Sequence, residues 1–180
     1  EGPIRGAAAI VVRDGRTVLE RYVGEAAPGV PASERTLWPI ASISKTFTAA
    51  MLLRLVELGE LSVQTHVRAV LPSFTVKGRE EMRLRHLLTH TSGLRSGLGP
   101  HGEWEGAARA LAFACEETPL NPPGTVFRYS DINFILLGEI VREVTGLRVD
   151  AFCAREVFGP LGMKDTGFRP NPALRPRIAP

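Results

Sequence analysis

Trp38-Pro39-Ile40-Ala41-Ser42-Ile43-Ser44-Lys45-Thr46-Phe47-Thr48 leads into the most apolar segment of the chain, which continues to Leu58 and stops at Gly59. The spacing predicts a helix from Ser42 to about Leu58. Ile43, Phe47, Ala50, Met51, Leu52, Leu55 and Val56 cover most of its circumference, and a helix apolar on nearly every side belongs in the middle of a domain. Gly59 supplies the usual C-terminal stop.

Outward from that helix, the N-terminal side reads as one β-hairpin. Ala7 to Arg13 is rich in small and β-branched residues, Asp14-Gly15 is a strong turn dipeptide, and Thr17 to Val23 resumes the extended pattern. Gly24 to Thr36 carries Ala, Pro, Gly and charge, the composition of an exposed loop. On the C-terminal side, short helices are predicted around Leu84 to Thr89 and Glu105 to Glu116. Asn121-Pro122-Pro123-Gly124 forces a turn, Val126 to Tyr129 is extended, and a long helix begins near Ser130 or Asp131. Ile132, Phe134, Ile135, Leu136, Ile140, Val141 and Val144 form its buried side, and Gly146 ends it. A last helix near Val149 to Val157 gives way to Gly159-Pro160-Leu161-Gly162, and Arg169 to Pro180 shows no periodic pattern. There is no internal repeat and no second core, so one domain is expected. One hairpin against four or five helices is an imbalance, because two strands are marginal alone.

Composition narrows the partners. The chain has 180 residues and a net charge of +3, and its basic residues are almost all arginines scattered along it. No dense basic stripe for nucleic acid results. The longest uninterrupted apolar run, Gly6 to Val12, is far short of the ~20 residues that cross a bilayer. Cys115 and Cys153 lack C-x-x-C spacing and read as small apolar residues. Compartment stays open: periplasmic or secreted if a leader precedes Glu1, cytoplasmic otherwise.

The chemistry-bearing signal is Ser42-Ile43-Ser44-Lys45. Three residues apart on a helix puts Ser42 and Lys45 on one face. A serine hydroxyl is a poor nucleophile until a base takes its proton, and apolar surroundings such as Phe47 and Ala49 are expected to pull the lysine pKa down for that task. A serine in the first helical turn also meets unpaired backbone N–H groups. With eight serines and three lysines in the chain, chance gives roughly 0.13 such pairs, so a capping serine beside a snorkelling lysine remains the plain alternative. Tyr129, at the mouth of the long helix, can be aimed into a cleft and relay a proton, or be an amphipathic core tyrosine. Asp131 reads first as the helix N-cap. His86 and His90 have i, i+4 spacing, but no Glu follows His86 and no third ligand is evident, so both read as structural histidines and no metal is expected. His66 and His101 are assigned nothing.

Taken together, Trp38 through Thr48, His86-Leu87-Leu88-Thr89-His90-Thr91-Ser92-Gly93-Leu94, Pro123-Gly124-Thr125 through Tyr129-Ser130-Asp131-Ile132-Asn133-Phe134, and Pro160-Leu161-Gly162-Met163 resemble the serine β-lactamase-related family. That family groups class C β-lactamases, D,D-peptidases (penicillin-binding proteins) and family VIII esterases. The resemblance implies an α+β, β-lactamase/transpeptidase-like fold, and an acyl-enzyme mechanism on an ester or amide (a β-lactam, a D-Ala peptide or a small ester) without a cofactor. By matching position Ser42 is the nucleophile, its N–H half of an oxyanion hole, Lys45 the activating group, Tyr129 the proton relay and Asp131 a substrate-binding position. Many lactamases have Asn where Asp131 stands, and an ionised carboxylate can only accept hydrogen bonds, which suits an esterase-like member. The family's third element, Lys-Thr-Gly or His-x-Gly, has no counterpart after Tyr129. The chain is therefore expected to be the N-terminal part of one such domain, lacking the strands that complete the sheet, and nearly inactive by itself, since losing one oxyanion donor costs roughly 100- to 1,000-fold. The alternative is a non-catalytic member or truncated fragment with a binding or assembly role.

Overall fold

In the computed structural model, which describes residues 4–74, 77–99 and 105–179, Asp14 and Gly15 both take positive φ, 51° and 73°. That is the backbone a two-residue type I′ hairpin turn requires. The turn joins β1 (Gly6–Arg13) to β2 (Arg16–Ala27), paired antiparallel from Arg13 opposite Arg16 to Gly6 opposite Gly24, with a register shift between Val11 and Val12. A short β3 (Val30–Pro31) pairs antiparallel with the end of β2. The segment expected as loop from Gly24 thus begins as strand: Glu25 N–H donates to Arg5 O, Ala32 N–H donates to Gly24 O, and Ala26 is buried. Ile10, Val12, Val18 and Val23 all remain more than half exposed.

The structure divides into two compact units, Glu1–Ser42 with Asp165–Pro180, and Ile43–Lys164. The first holds the sheet and the C-terminal segment. That segment, aperiodic in sequence, forms a 3₁₀ helix, Pro172–Arg177, capped by the Asn171 side chain, which accepts from Ala173 N–H at 2.9 Å. Leu37 N–H donates to Arg177 O and Ala179 N–H to Leu37 O, so the tail bridges Leu37. His101 lies outside the described residues.

The second unit is helical: α1 (Ser44–Glu57), α2 (Val67–Val70), α3 (Leu84–Leu88), α4 (Gly106–Glu116), α5 (Asp131–Thr145) and α6 (Val149–Cys153), the last continuing as a π-helical turn, Ala154–Phe158. α5 packs against α1, α3, α4 and α6. Ile132, Leu136, Leu137, Ile140 and Val141 of α5 and Met51, Leu52 and Leu55 of α1 are buried in one core, each contributing roughly 1.5–3 kcal/mol on burial. Gly146, at φ 70°, ends α5 with its N–H on Arg142 O.

Three local expectations are corrected. α1 starts two residues later than its apolar pattern suggests: Ala41–Ile43 forms a separate 3₁₀ turn, opened by Ala41 at φ 44°, and the α-helix begins at Ser44. The same helix is not buried all round, since Leu53 is half exposed. At α5 the N-cap position belongs to Ser130, extended at φ −144° and ψ 124°, and Asp131 is the first helical residue. Asp131 is free to act elsewhere because its carboxylate is one position too far along to cap.

Candidate active site

Lys45 stands at the second position of α1, and packing of α1 on α5 carries its side chain to the start of the long helix. Its Nζ lies 2.7 Å from Asp131 Oδ1, with the lysine side chain only 17% exposed. The same ammonium sits over two rings, 5.0 Å from the centroid of Tyr129 and 5.9 Å from that of Phe134. Burial pulls the Lys45 pKa down, but hydrogen bonds to Asp131 and Tyr129 outweigh it, so Lys45 titrates above an ordinary lysine. The expectation of a depressed lysine pKa is therefore reversed. Burial is the largest single influence, yet the hydrogen bonds and charges of Asp131 and Tyr129 together exceed it.

Tyr129 is partly exposed at 43%, which leaves the ring accessible to a small molecule, and its backbone is tied down on both sides. Arg128 N–H donates to His90 O at 2.8 Å and Ser130 N–H donates to His90 Nδ1 at 3.1 Å. The His90 ring lies against that of Tyr129, centroids 4.6 Å apart and planes tilted 32°, and against Phe134 at 5.2 Å. Asp131 N–H donates to Ser96 O, and Ser130 Oγ donates to Arg95 O at 2.6 Å. The whole Arg128–Asp131 segment is thus hung on residues 90–96.

Beneath it is a buried polar network. Ser92 Oγ donates to Asn133 Oδ1 at 2.6 Å and accepts from Leu94 N–H at 3.2 Å, and Asn133 Nδ2 lies 3.2 Å from His90 Nδ1. Ser92, Ser130 and Asn133 are all buried, and every buried polar group needs such a partner. Gly93 explains the tight approach of the next loop: at φ 81° a Cβ would lie 2.0 Å from Asn121 O, while Leu120 N–H donates to Gly93 O.

Ser42 belongs to the other compact unit, as its last residue before Ile43, and lies in the 3₁₀ turn Ala41–Ile43 that precedes α1. The left-handed Ala41 immediately before it is a strained position of the kind that gathers at functional sites.

The structure brings Lys45, Tyr129 and Asp131 together in one unit. It adds His90, Phe134 and Asn133, which residue-by-residue reading did not select. Their signal was in the sequence, in the His86 to Leu94 and Ser130 to Phe134 blocks, where both histidines read as structural. His86 is buried with Nδ1 accepting from Arg83 N–H, and among the described residues there is no group of three metal-ligating side chains placed to hold an ion. Cys115 and Cys153 are buried free thiols, the latter pushed up to about 11 by burial. No helix among the described residues is long and apolar enough to cross a membrane.

The family model described as Beta-lactamase matches residues 1–180, and the chain belongs to that family. It is 32% identical to Penicillin-binding protein 4 of Amycolatopsis lactamdurans, over 99% of this chain and 49% of that protein. With Esterase EstB of Burkholderia gladioli it shares 36% identity, over 91% of this chain and 47% of the relative. Among solved structures, EstCE1, a hydrolase with promiscuous acyltransferase activity, superposes with a TM-score of 0.87 at 26% identity, covering 99% of this chain and 52% of the other. The chain therefore spans about half the length of the relatives it matches. Its helices and three-stranded antiparallel sheet are the α+β, β-lactamase-like fold expected.

Proposed function

We propose that this chain carries the acylation machinery of a serine hydrolase that acts on small esters, with Ser42 as nucleophile and Lys45 and Tyr129 as a coupled proton-handling pair. The observation that carries the reading is the Lys45 ammonium, 2.7 Å from Asp131 and 5.0 Å over the Tyr129 ring, three residues beyond Ser42 in sequence. A lysine that titrates high is a cation at neutral pH, so its part is electrostatic and donating. The phenol oxygen of Tyr129 is then the group that passes the Ser42 proton. In acylation the Ser42 oxygen bonds the ester carbon, the carbon–alkoxide bond breaks, and the proton from Ser42 ends on the leaving alcohol. Water repeats the cycle in reverse roles and frees the acid.

Asp131 supports an ester rather than a β-lactam or peptide. Its carboxylate accepts from Lys45 and has no N–H to offer a substrate carbonyl. The likeness to Esterase EstB runs in the same direction. Both compact units are proposed to belong to one domain, with the remaining oxyanion donor supplied by the part of the family fold that the matched region of the relatives does not include.

The test is labelling of the full-length protein with a fluorophosphonate, followed by peptide mass spectrometry. An adduct on Ser42, absent from Ser42→Ala, is expected. Labelling that persists in Ser42→Ala, or no labelling in a protein that hydrolyses p-nitrophenyl butyrate, would overturn the assignment. A folded full-length protein with neither adduct nor hydrolysis would favour a binding role for the cleft.

A further inference from the structure

We propose that His90 is a positioning residue for Tyr129: its carbonyl and its imidazole hold the backbone N–H groups on either side of that tyrosine while its ring face backs the phenol. The inference rests on the reading of Tyr129 as the proton relay and assigns what fixes it in place.

The geometry is specific to a histidine-like side chain. Any residue at position 90 could offer a carbonyl to Arg128 N–H, but the bond from Ser130 N–H at 3.1 Å needs a side-chain acceptor where Nδ1 stands. The Asn133 amide is oriented by Ser92, whose hydroxyl occupies Oδ1, so its Nδ2 side faces His90 Nδ1 at 3.2 Å. Two donors thus converge on one ring nitrogen. Nδ1 must be unprotonated and Nε2 must carry the hydrogen, because the neutral ring has one acceptor. Backbone position 90 is also unusual, at φ 57°. A left-handed residue is tolerated by Gly, Asn, Asp or His and disfavoured for most others, so this place in the chain is compatible with few side chains that could do the same work.

The ring is partly buried against Tyr129, Phe134 and Phe127. The charged groups acting on it are Lys45 from α1 and Asp131 from α5. Burial holds His90 below the usual histidine range, Lys45 lowers it further, and Asp131 offsets part of that. Protonation at acid pH would turn Nδ1 into a donor facing two donors and loosen the segment that carries Tyr129.

The experiment uses the full-length protein, with p-nitrophenyl butyrate turnover measured across pH and amide exchange of residues 128–131 followed by mass spectrometry. His90→Ala removes the acceptor and is expected to lower kcat roughly 10- to 100-fold, with KM changed by less than about twofold, and to speed exchange at 128–131. His90→Asn keeps an oxygen near the Nδ1 position, accepts the left-handed backbone and does not titrate. It should recover most of kcat, restore slow exchange and remove the acid-side fall in rate due to His90. Combined with Tyr129→Phe, His90→Ala should cost little more. The proposal is overturned if His90→Asn is as impaired as His90→Ala, if the two changes multiply independently, or if exchange at 128–131 is unmoved in His90→Ala. Should Tyr129→Phe itself leave kcat intact, the catalytic reading of Tyr129 falls. Positioning by His90 is then decided by exchange alone, where faster exchange in His90→Ala reversed in His90→Asn upholds it and unchanged exchange refutes it.

Discussion

The Lys45 ammonium and the Asp131 carboxylate meet at 2.7 Å although they lie on different helices. This ion pair pulls the lysine's pKa upward against burial. Asp131→Asn keeps the shape and removes the charge, so the carboxylate's upward pull is lost and Lys45 should titrate lower than in the parent. A lysine whose folded-state pKa is raised adds stability below its unfolded value, about 10.4, and loses it as pH rises through the folded value. The stability difference between parent and Asp131→Asn should therefore be level through neutral pH and shrink above pH ~10. Because Asp131 is 57% exposed, solvent screening limits it to less than about 1 kcal/mol. Nζ-detected NMR of labelled lysine, with urea unfolding at several pH values, checks both parts.

Tyr129→Phe separates chemistry from packing. The ring contacts with His90 and Lys45 survive and only the hydroxyl's hydrogen bond with Lys45 is lost, so stability should fall by no more than about 1 kcal/mol. Turnover of the full-length protein should fall roughly 100- to 10,000-fold, the range for removing a proton-transfer group. A loss of stability well beyond one hydrogen bond would instead mark Tyr129 as structural.

Gly93→Ala should destabilise the protein by at least about 1 kcal/mol. The added methyl would stand 2.0 Å from Asn121 O, at a backbone φ of 81°, and only a shift of the 120–124 turn could relieve it. Gly124 N–H, which donates to Thr91 O at 2.7 Å, should exchange faster with solvent in the variant.

Arg79 predicts the opposite sign. It is a buried cation over the Phe74 ring, donating to Cys115 O, while its Nε and Nη2 have no hydrogen-bond partner among the described residues. Burial pulls its pKa down to about 10, so it remains charged at neutral pH. Arg79→Met should be neutral to stabilising, by up to about 4 kcal/mol, as for other buried ions replaced by apolar side chains. Thermal unfolding of the two proteins gives the sign directly.

Much of this architecture follows from local rules. The Asp14-Gly15 hairpin, the stop at Gly146 and the apolar stripe of α5 depend on φ preferences and on a 3.6-residue period, and these act over a few neighbours. Where local rules failed they did so by one or two residues: a 3₁₀ turn over Ala41–Ile43 delayed α1, and Ser130 took the N-cap from Asp131. The residue types of the candidate site were equally legible, since a serine three residues before a lysine and a tyrosine before a long helix are patterns in one dimension. The charge on Lys45, the anchoring of Tyr129 by His90 and the orientation of Asn133 by Ser92 were decided only by the tertiary structure. Those properties are set by hydrogen bonds and Coulomb interactions at a few ångströms between residues about 40 to 90 positions apart in the chain. An ionisable group answers to whatever atoms surround it in space, and no spacing rule along the sequence names them.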